Sequence, residues 1–237
     1  MHRSRLAVIA LAGAAGALTL LAALDAAPAG PAAPARLVLR PPSELEFAAT
    51  VHSRHFERGI YMPRYHAVVW SGGRAAGHAL LRAEVTDVAV LDALERLGAR
   101  PGNNVPMEAW EERRDPHHTE PDRIIAGSEI EILLRLPGRA GLVPLAEVLE
   151  DPGGRGLRMR FGGNRENVPK WKSGCIVCLY SCPGSKVGNA RYTVRDYVRG
   201  TTRFGVRKGS LPPEGTPIGV IFRVSDGTSA TGNRKKG

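Results

Sequence analysis

The chain has 237 residues, 43% hydrophobic but only 5% aromatic, with 28 glycines and 18 prolines. That composition fits one moderate domain with appendages, rich in loops yet able to bury a core. The net charge is +10, but the cations are dispersed, mostly as arginine. No basic run is interleaved with aromatic residues, so the charge reads as a basic surface and nucleic acid is not expected as a partner.

The chain opens on His2-Arg3-Ser4-Arg5, and residues 6–24 (LAVIALAGAAGALTLLAAL) then carry no charge. A positive lead before an apolar run sends the following chain across a membrane. The run approaches the roughly 20 residues that span a bilayer as a helix. Ala27-Pro28-Ala29 offers small residues for cleavage. Residues 1–29 are therefore expected to be a signal peptide or a membrane anchor. The protein is expected on the periplasmic side of the inner membrane, anchored through residues 6–24 or soluble after cleavage. Residues 30–43 continue as a Pro/Ala linker, stiff and too poor in large apolar groups to fold alone.

The globular domain is expected over residues 44–224. ELEFAATVHS (44–53) alternates as a strand, RYHAVVWSGG (64–73) reads as a strand ending in a Gly-Gly turn, and HALLRAEV (78–85) as a further apolar segment. Residues 87–98 give the main helix. Val88, Leu91, Leu94 and Leu97 recur on one face, Thr86 or Asp87 caps the start and Gly98 the end. Residues 103–127 read as a polar excursion with a helical turn near MEAWEERR. Strands follow at 129–138, 157–164, 190–198 and 216–224, with a short helix or strand-plus-turn at 143–151. The tail, residues 225–237, has no hydrophobic pattern and is expected to be disordered. The pattern predicts an α+β fold, a mixed or antiparallel sheet with one main helix over 87–98.

Residues 67–104 end in Leu97-Gly98-Ala99-Arg100-Pro101-Gly102, and EIEILLRLPG and MRFGGN follow later. These segments resemble the YdjY-like domain family of exported bacterial proteins, with the resemblance running over roughly residues 45–165. Some relatives are described as ferredoxin-like, which implies an iron–sulfur or electron-transfer role. The resemblance carries over no catalytic residues. The chain departs from it after Asn164, where residues 165–190 read as an inserted cysteine motif.

That motif, GCIVCLYSCPG, holds all three cysteines: Cys175, Cys178 and Cys182. The spacing C-x2-C-x3-C-P matches the last three cysteines of a bacterial ferredoxin run, lacking the first. Cys175, Cys178 and Cys182 are thus candidate metal ligands for an iron–sulfur cluster or zinc, with a fourth ligand from His52, His55, His66, His78, His117 or His118. If helical, the three thiols would share one face. Two other readings stand beside this: a Cys175–Cys178 disulfide with one free thiol in an oxidising compartment, and plain packing without any cofactor. Lys170, Lys172 and Lys186 flank the motif and would favour thiolates or an anionic cluster. His52 and His55 at x2 spacing on a strand would diverge. No phosphate loop, zinc-protease pair or nucleophile elbow occurs. No acid–base or nucleophile constellation points to an enzyme. The expected role is an accessory or electron-transfer subunit with a redox or membrane-complex protein partner, or else a non-enzymatic structural subunit.

Overall fold

The computed structural model describes residues 37–57 and 64–225. The expected signal or anchor, the first half of the linker and the tail beyond Ser225 lie outside the described residues. Among the described residues, no helix is long and apolar enough to cross a membrane.

Strand β1 (Val38–Arg40) leads antiparallel into β2 (Glu44–Val51). Leu45, Phe47, Ala49 and Val51 are buried and the residues between them are not, the period of two of a strand with one dry face. Helix α1 (Ser53–Glu57), β3 (His66–Trp70), β4 (Leu81–Ala83) and α2 (Asp87–Arg96) follow. The polar excursion carries α3 (Glu108–Glu111) and ends at β5 (Glu129–Arg135). A small unit of β6 (Val143–Pro144), α4 (Leu145–Val148) and β7 (Leu149–Glu150) precedes β8 (Met159–Phe161). The chain continues through α5 (Val168–Trp171), β9 (Cys175–Cys178), β10 (Val187–Asn189), α6 (Val194–Arg199), β11 (Gly205–Val206) and β12 (Pro217–Ser225).

Eight strands close on themselves in the order β2-β12-β5-β8-β10-β9-β3-β4, with β4 pairing back onto β2. The pairs β9–β10 and β3–β4 are parallel and the other ring pairs antiparallel. This corrects the expected α+β fold with one main helix. The architecture is a mixed β-barrel carrying several short helices. Local alternation marks where strands lie, but not that the first and last pairings meet, because closure rests on contacts distant in sequence. An eight-stranded barrel is just wide enough for side chains to fill. Phe47 and Phe222 meet edge-on in its core with ring centres 5.4 Å apart.

Two local expectations also change. Helix α2 is capped by Thr86, whose Oγ1 accepts from the Ala89 amide at 3.0 Å, but Val88 is exposed, whereas Asp87, Val90, Leu91, Ala93 and Leu94 are buried. At 3.6 residues per turn, a row spaced by three drifts off the buried face. Residues 190–198, expected as a strand, hold α6 instead. Its start is fixed by a reciprocal cap in which the Asp196 amide donates to Thr193 Oγ1 (3.1 Å) and the Thr193 amide to Asp196 Oδ2 (2.8 Å).

The two motifs that carried the family resemblance pack on each other. The Gly102 amide donates to the Phe161 carbonyl (2.9 Å), the Asn103 amide to the Gly162 carbonyl (2.8 Å), and the Asn164 amide to Asn103 Oδ1 (2.9 Å). Gly163 has φ +74° and a Cβ there would lie 2.5 Å from Pro101, so the clamp admits no side chain.

Candidate functional site

The cysteine segment is part of the barrel wall. Strand β9 lies between β10 and β3 and is buried on both faces, as expected of a strand with a parallel neighbour. Burial continues without a break over residues 173–189. The segment is a strand and not a helix, so the condition under which the three thiols would share a helical face is not met. Cys178 instead contacts both Cys175 and Cys182, beside an irregular register in which His66 faces Cys178, Val68 faces Val177 and Val69 faces Cys175, with bulges between them. A bulge re-aims side chains that a regular strand would send to opposite faces.

Strand β9 is anchored by a close backbone contact. The turn after β3 meets the residues entering β9 through Trp70 N to Gly174 O (2.8 Å) and Ala75 N to Ser173 O (3.0 Å). Gly174 has φ +69°, and a Cβ on it would lie 2.6 Å from Gly73 Cα.

All three cysteines are free thiols and at most 4% exposed. Cys175 is drawn down to about 5 by a hydrogen bond from Cys178, against the opposing cost of burial, with help from the His66 charge and hydrogen bond and from Lys186. The His66 Nδ1 to Cys175 Sγ distance is 3.4 Å. Cys178 moves the other way: burial raises it well above the ordinary thiol value, reinforced by Cys175 and Cys182. The two shifts run in opposite directions across the Cys175–Cys178 contact, and Cys178 also touches Cys182. Thiolate is the metal-binding and nucleophilic form.

The loop behind Cys182 is held by the family clamp. The Gly163 amide donates to the Lys186 carbonyl (3.1 Å), Asn164 Nδ2 to the Ser185 carbonyl (3.4 Å), and Asn167 Nδ2 to the Pro183 carbonyl (3.0 Å). Of the three lysines expected to flank the motif, Lys170 and Lys172 are exposed. Lys186 is 2% exposed and its Nζ lies 2.5 Å from Asp87 Oδ2 at the start of α2. One buried cation therefore ties the barrel wall to the helix and adds positive potential at Cys175.

Aromatic rings cover the other side. Tyr65 sits 4.3 Å from His66, 5.1 Å from Tyr197 and 6.1 Å from Tyr180, centre to centre. Trp110 and Trp171 pack together at 5.0 Å. Tyr65, Trp110, Tyr180 and Tyr197 pack around Cys178 and Cys182 without leaving room for a water molecule. Burial, then the neighbouring Cys182 and Cys178, push the Tyr65 hydroxyl far above its ordinary value.

Of the six histidines considered as a fourth ligand, His66 alone is hydrogen-bonded to a cysteine sulfur in the described structure. His117 is exposed, and His118 bonds the Asp115 carbonyl. His52 and His55 do not diverge on a strand. They bracket the start of α1, and both Nδ1 atoms face Glu214 Oε1, at 3.1 and 3.2 Å. Glu214 is 162 residues from His52, so nothing local in the sequence announces the group.

A family model described as the YdjY domain matches residues 42–223. The uncharacterized protein YdjY of Escherichia coli (strain K12) is 32% identical over 162 residues, covering 68% of this chain and 68% of that protein. No solved structure matches.

Proposed function

The chain belongs to the YdjY domain family, and from that premise we propose that it is an exported accessory or electron-transfer subunit whose Cys175, Cys178 and Cys182 hold a thiophilic metal centre. The observation that carries this is three free, buried thiols within one short segment, with His66 Nδ1 3.4 Å from Cys175 Sγ. Soft thiolates select iron–sulfur and zinc centres.

The fit is one of donor chemistry. In tetrahedral zinc, thiolates about 2.3 Å from the ion stand about 3.8 Å apart. Among the described residues, the trio does not draw together so that all donor atoms lie within 4.8 Å of one another. The ferredoxin-like spacing C-x2-C-x3-C-P, and not the separation of the sulfurs, is what favours an iron–sulfur core over one zinc ion. Such a centre would supply one-electron chemistry. The chain's own contribution is three thiol ligands, a dry aromatic wall and a nearby cation. The basic-led apolar run at residues 6–24 supports export to the periplasmic side of the inner membrane, anchored or soluble after cleavage, next to a redox or membrane-complex partner.

The contact between Cys175 and Cys178 supports a second reading, a disulfide between them in an oxidising compartment with Cys182 free. Anaerobic purification followed by iron, zinc and sulfide analysis and a visible spectrum decides between the two. Bound iron with sulfur-to-iron charge-transfer absorption, lost in Cys178→Ser while far-ultraviolet circular dichroism is kept, is the expected result. Absence of metal, with one reactive thiol left after denaturation, would replace this proposal with the disulfide.

A further inference from the structure

We infer that His52, His55 and Glu214 form a second metal site, separate from the cysteines, that takes a single divalent transition-metal ion of the zinc class. Among the described residues, this is the one place where three or more His, Cys, Asp or Glu donor atoms lie within 4.8 Å of one another.

The fold builds the group deliberately. Strand β2 ends at Val51, and α1 begins two residues later, so His52 and His55 fall three apart at a helix start and share a face. The turn carrying Glu214 is locked to the same point through Gly215 N to Val51 O (2.9 Å) and Val51 N to Thr216 O (3.1 Å). His52 is fixed in turn by its amide bond to the Leu80 carbonyl (2.7 Å). Three chain segments thus meet at one rim of the barrel.

Donor geometry fits an ion. Ligand atoms about 2.0–2.1 Å from a tetrahedral ion stand about 3.3–3.4 Å apart, and the Nδ1 to Oε1 separations are 3.1 and 3.2 Å. Both imidazoles aim at the same oxygen, Oε1. The other oxygen is held from behind by the Arg54 amide (3.1 Å) and Ser53 Oγ (3.5 Å), the outer support that orients a ligating carboxylate. Two imidazoles and one carboxylate are a borderline donor set that suits zinc and neighbouring first-row ions. The group opens on an exposed groove edged by Arg54 and Glu57. A fourth position there is left to water or a small ligand, which is the pattern of a reactive zinc site and not of a closed structural one.

The site lies on the same rim as the cysteines. His52 N reaches Leu80 O, Leu80 N reaches His66 O, and His66 faces Cys178. Strands β2 and β9 are separated only by β4 and β3, about 14 Å at the usual strand spacing.

The test is titration of the full chain with Co²⁺, followed by competition with Zn²⁺. One saturable equivalent, showing the visible bands of low-coordinate cobalt without sulfur-to-cobalt charge transfer, is expected. His55→Ala and Glu214→Gln should each weaken it by at least the 10–100-fold that loss of an outer-shell partner costs. His55 is 42% exposed at its side chain, so its variant tests binding with little risk to folding, and circular dichroism checks that. Three results overturn the inference: no saturable binding, binding that carries only the sulfur charge-transfer signature, or wild-type affinity in both variants.

Discussion

Replacing Lys186 with methionine tests the link between the cysteine wall and α2. Lys186 and Asp87 are 2% and 5% exposed, and their charged atoms are 2.5 Å apart. Deleting the amine leaves Asp87 as an uncompensated buried charge, which costs about 3–5 kcal/mol in comparable pairs. Two features pull the value toward the lower end. Asp87 Oδ1 also accepts from the Val88 amide at 3.1 Å, and Asp87 sits in the first turn of α2, where the helix dipole favours a carboxylate. The expected loss is therefore about 3 kcal/mol, or about 6–12 °C in melting temperature for a domain of this size. Urea unfolding followed by tryptophan fluorescence gives the number. Asp87→Leu combined with Lys186→Met should recover most of the loss, because an apolar pair of similar volume replaces the ions without stranding either. The reasoning is refuted if Lys186→Met stays within about 1 kcal/mol of wild type, or if the double variant is no more stable than the single.

Three further outcomes are expected. Thr86→Ala removes the cap of α2 and should cost about 1 kcal/mol, read in the same urea assay; no change would show that the 3.0 Å cap bond contributes nothing. Gly174→Ala forces an L-residue to φ +69° with a Cβ 2.6 Å from Gly73. It should lose more than the 1–2 kcal/mol of left-handed strain alone, and tolerance of alanine would mean the contact yields freely. Asp151 is the third. Burial tends to raise it, but bonds from Tyr192 and Thr202 and the Gly156 and Gly153 amides hold it below its ordinary value. A depressed carboxyl stabilises the fold above its unfolded value and loses that contribution as pH falls through the folded one. Wild type should therefore destabilise more steeply than Asp151→Asn in acid below about pH 4, and parallel acid curves would remove Asp151 from the account.

The sequence made single elements legible where one physical signal dominated. Alternation of apolar residues marks β2, β5 and β12, and Thr86 with Gly98 brackets α2. It did not reveal the barrel, because closure depends on β4 pairing with β2 and on β12 returning beside β2 from the far end of the chain. At residues 190–198 an alternating pattern competed with the Thr193–Asp196 cap, and the cap prevailed. The cysteine spacing singled out a site, but its geometry came from bulges opposite β3, which no local pattern encodes. Lys186 reads as one of three lysines flanking the cysteines, and nothing local announces that Asp87, on another element, is brought against it. The His52–His55 pair reads as divergent on a strand until α1 turns it and Glu214 arrives.

The most direct test of the central claim is the native mass of the full chain purified without oxygen. The account predicts a species heavier than the polypeptide by an iron–sulfur core, which collapses to the bare chain with three alkylatable cysteines once the core is stripped by acid. A native mass equal to the polypeptide alone, or to the polypeptide less two hydrogens for a disulfide, would contradict it.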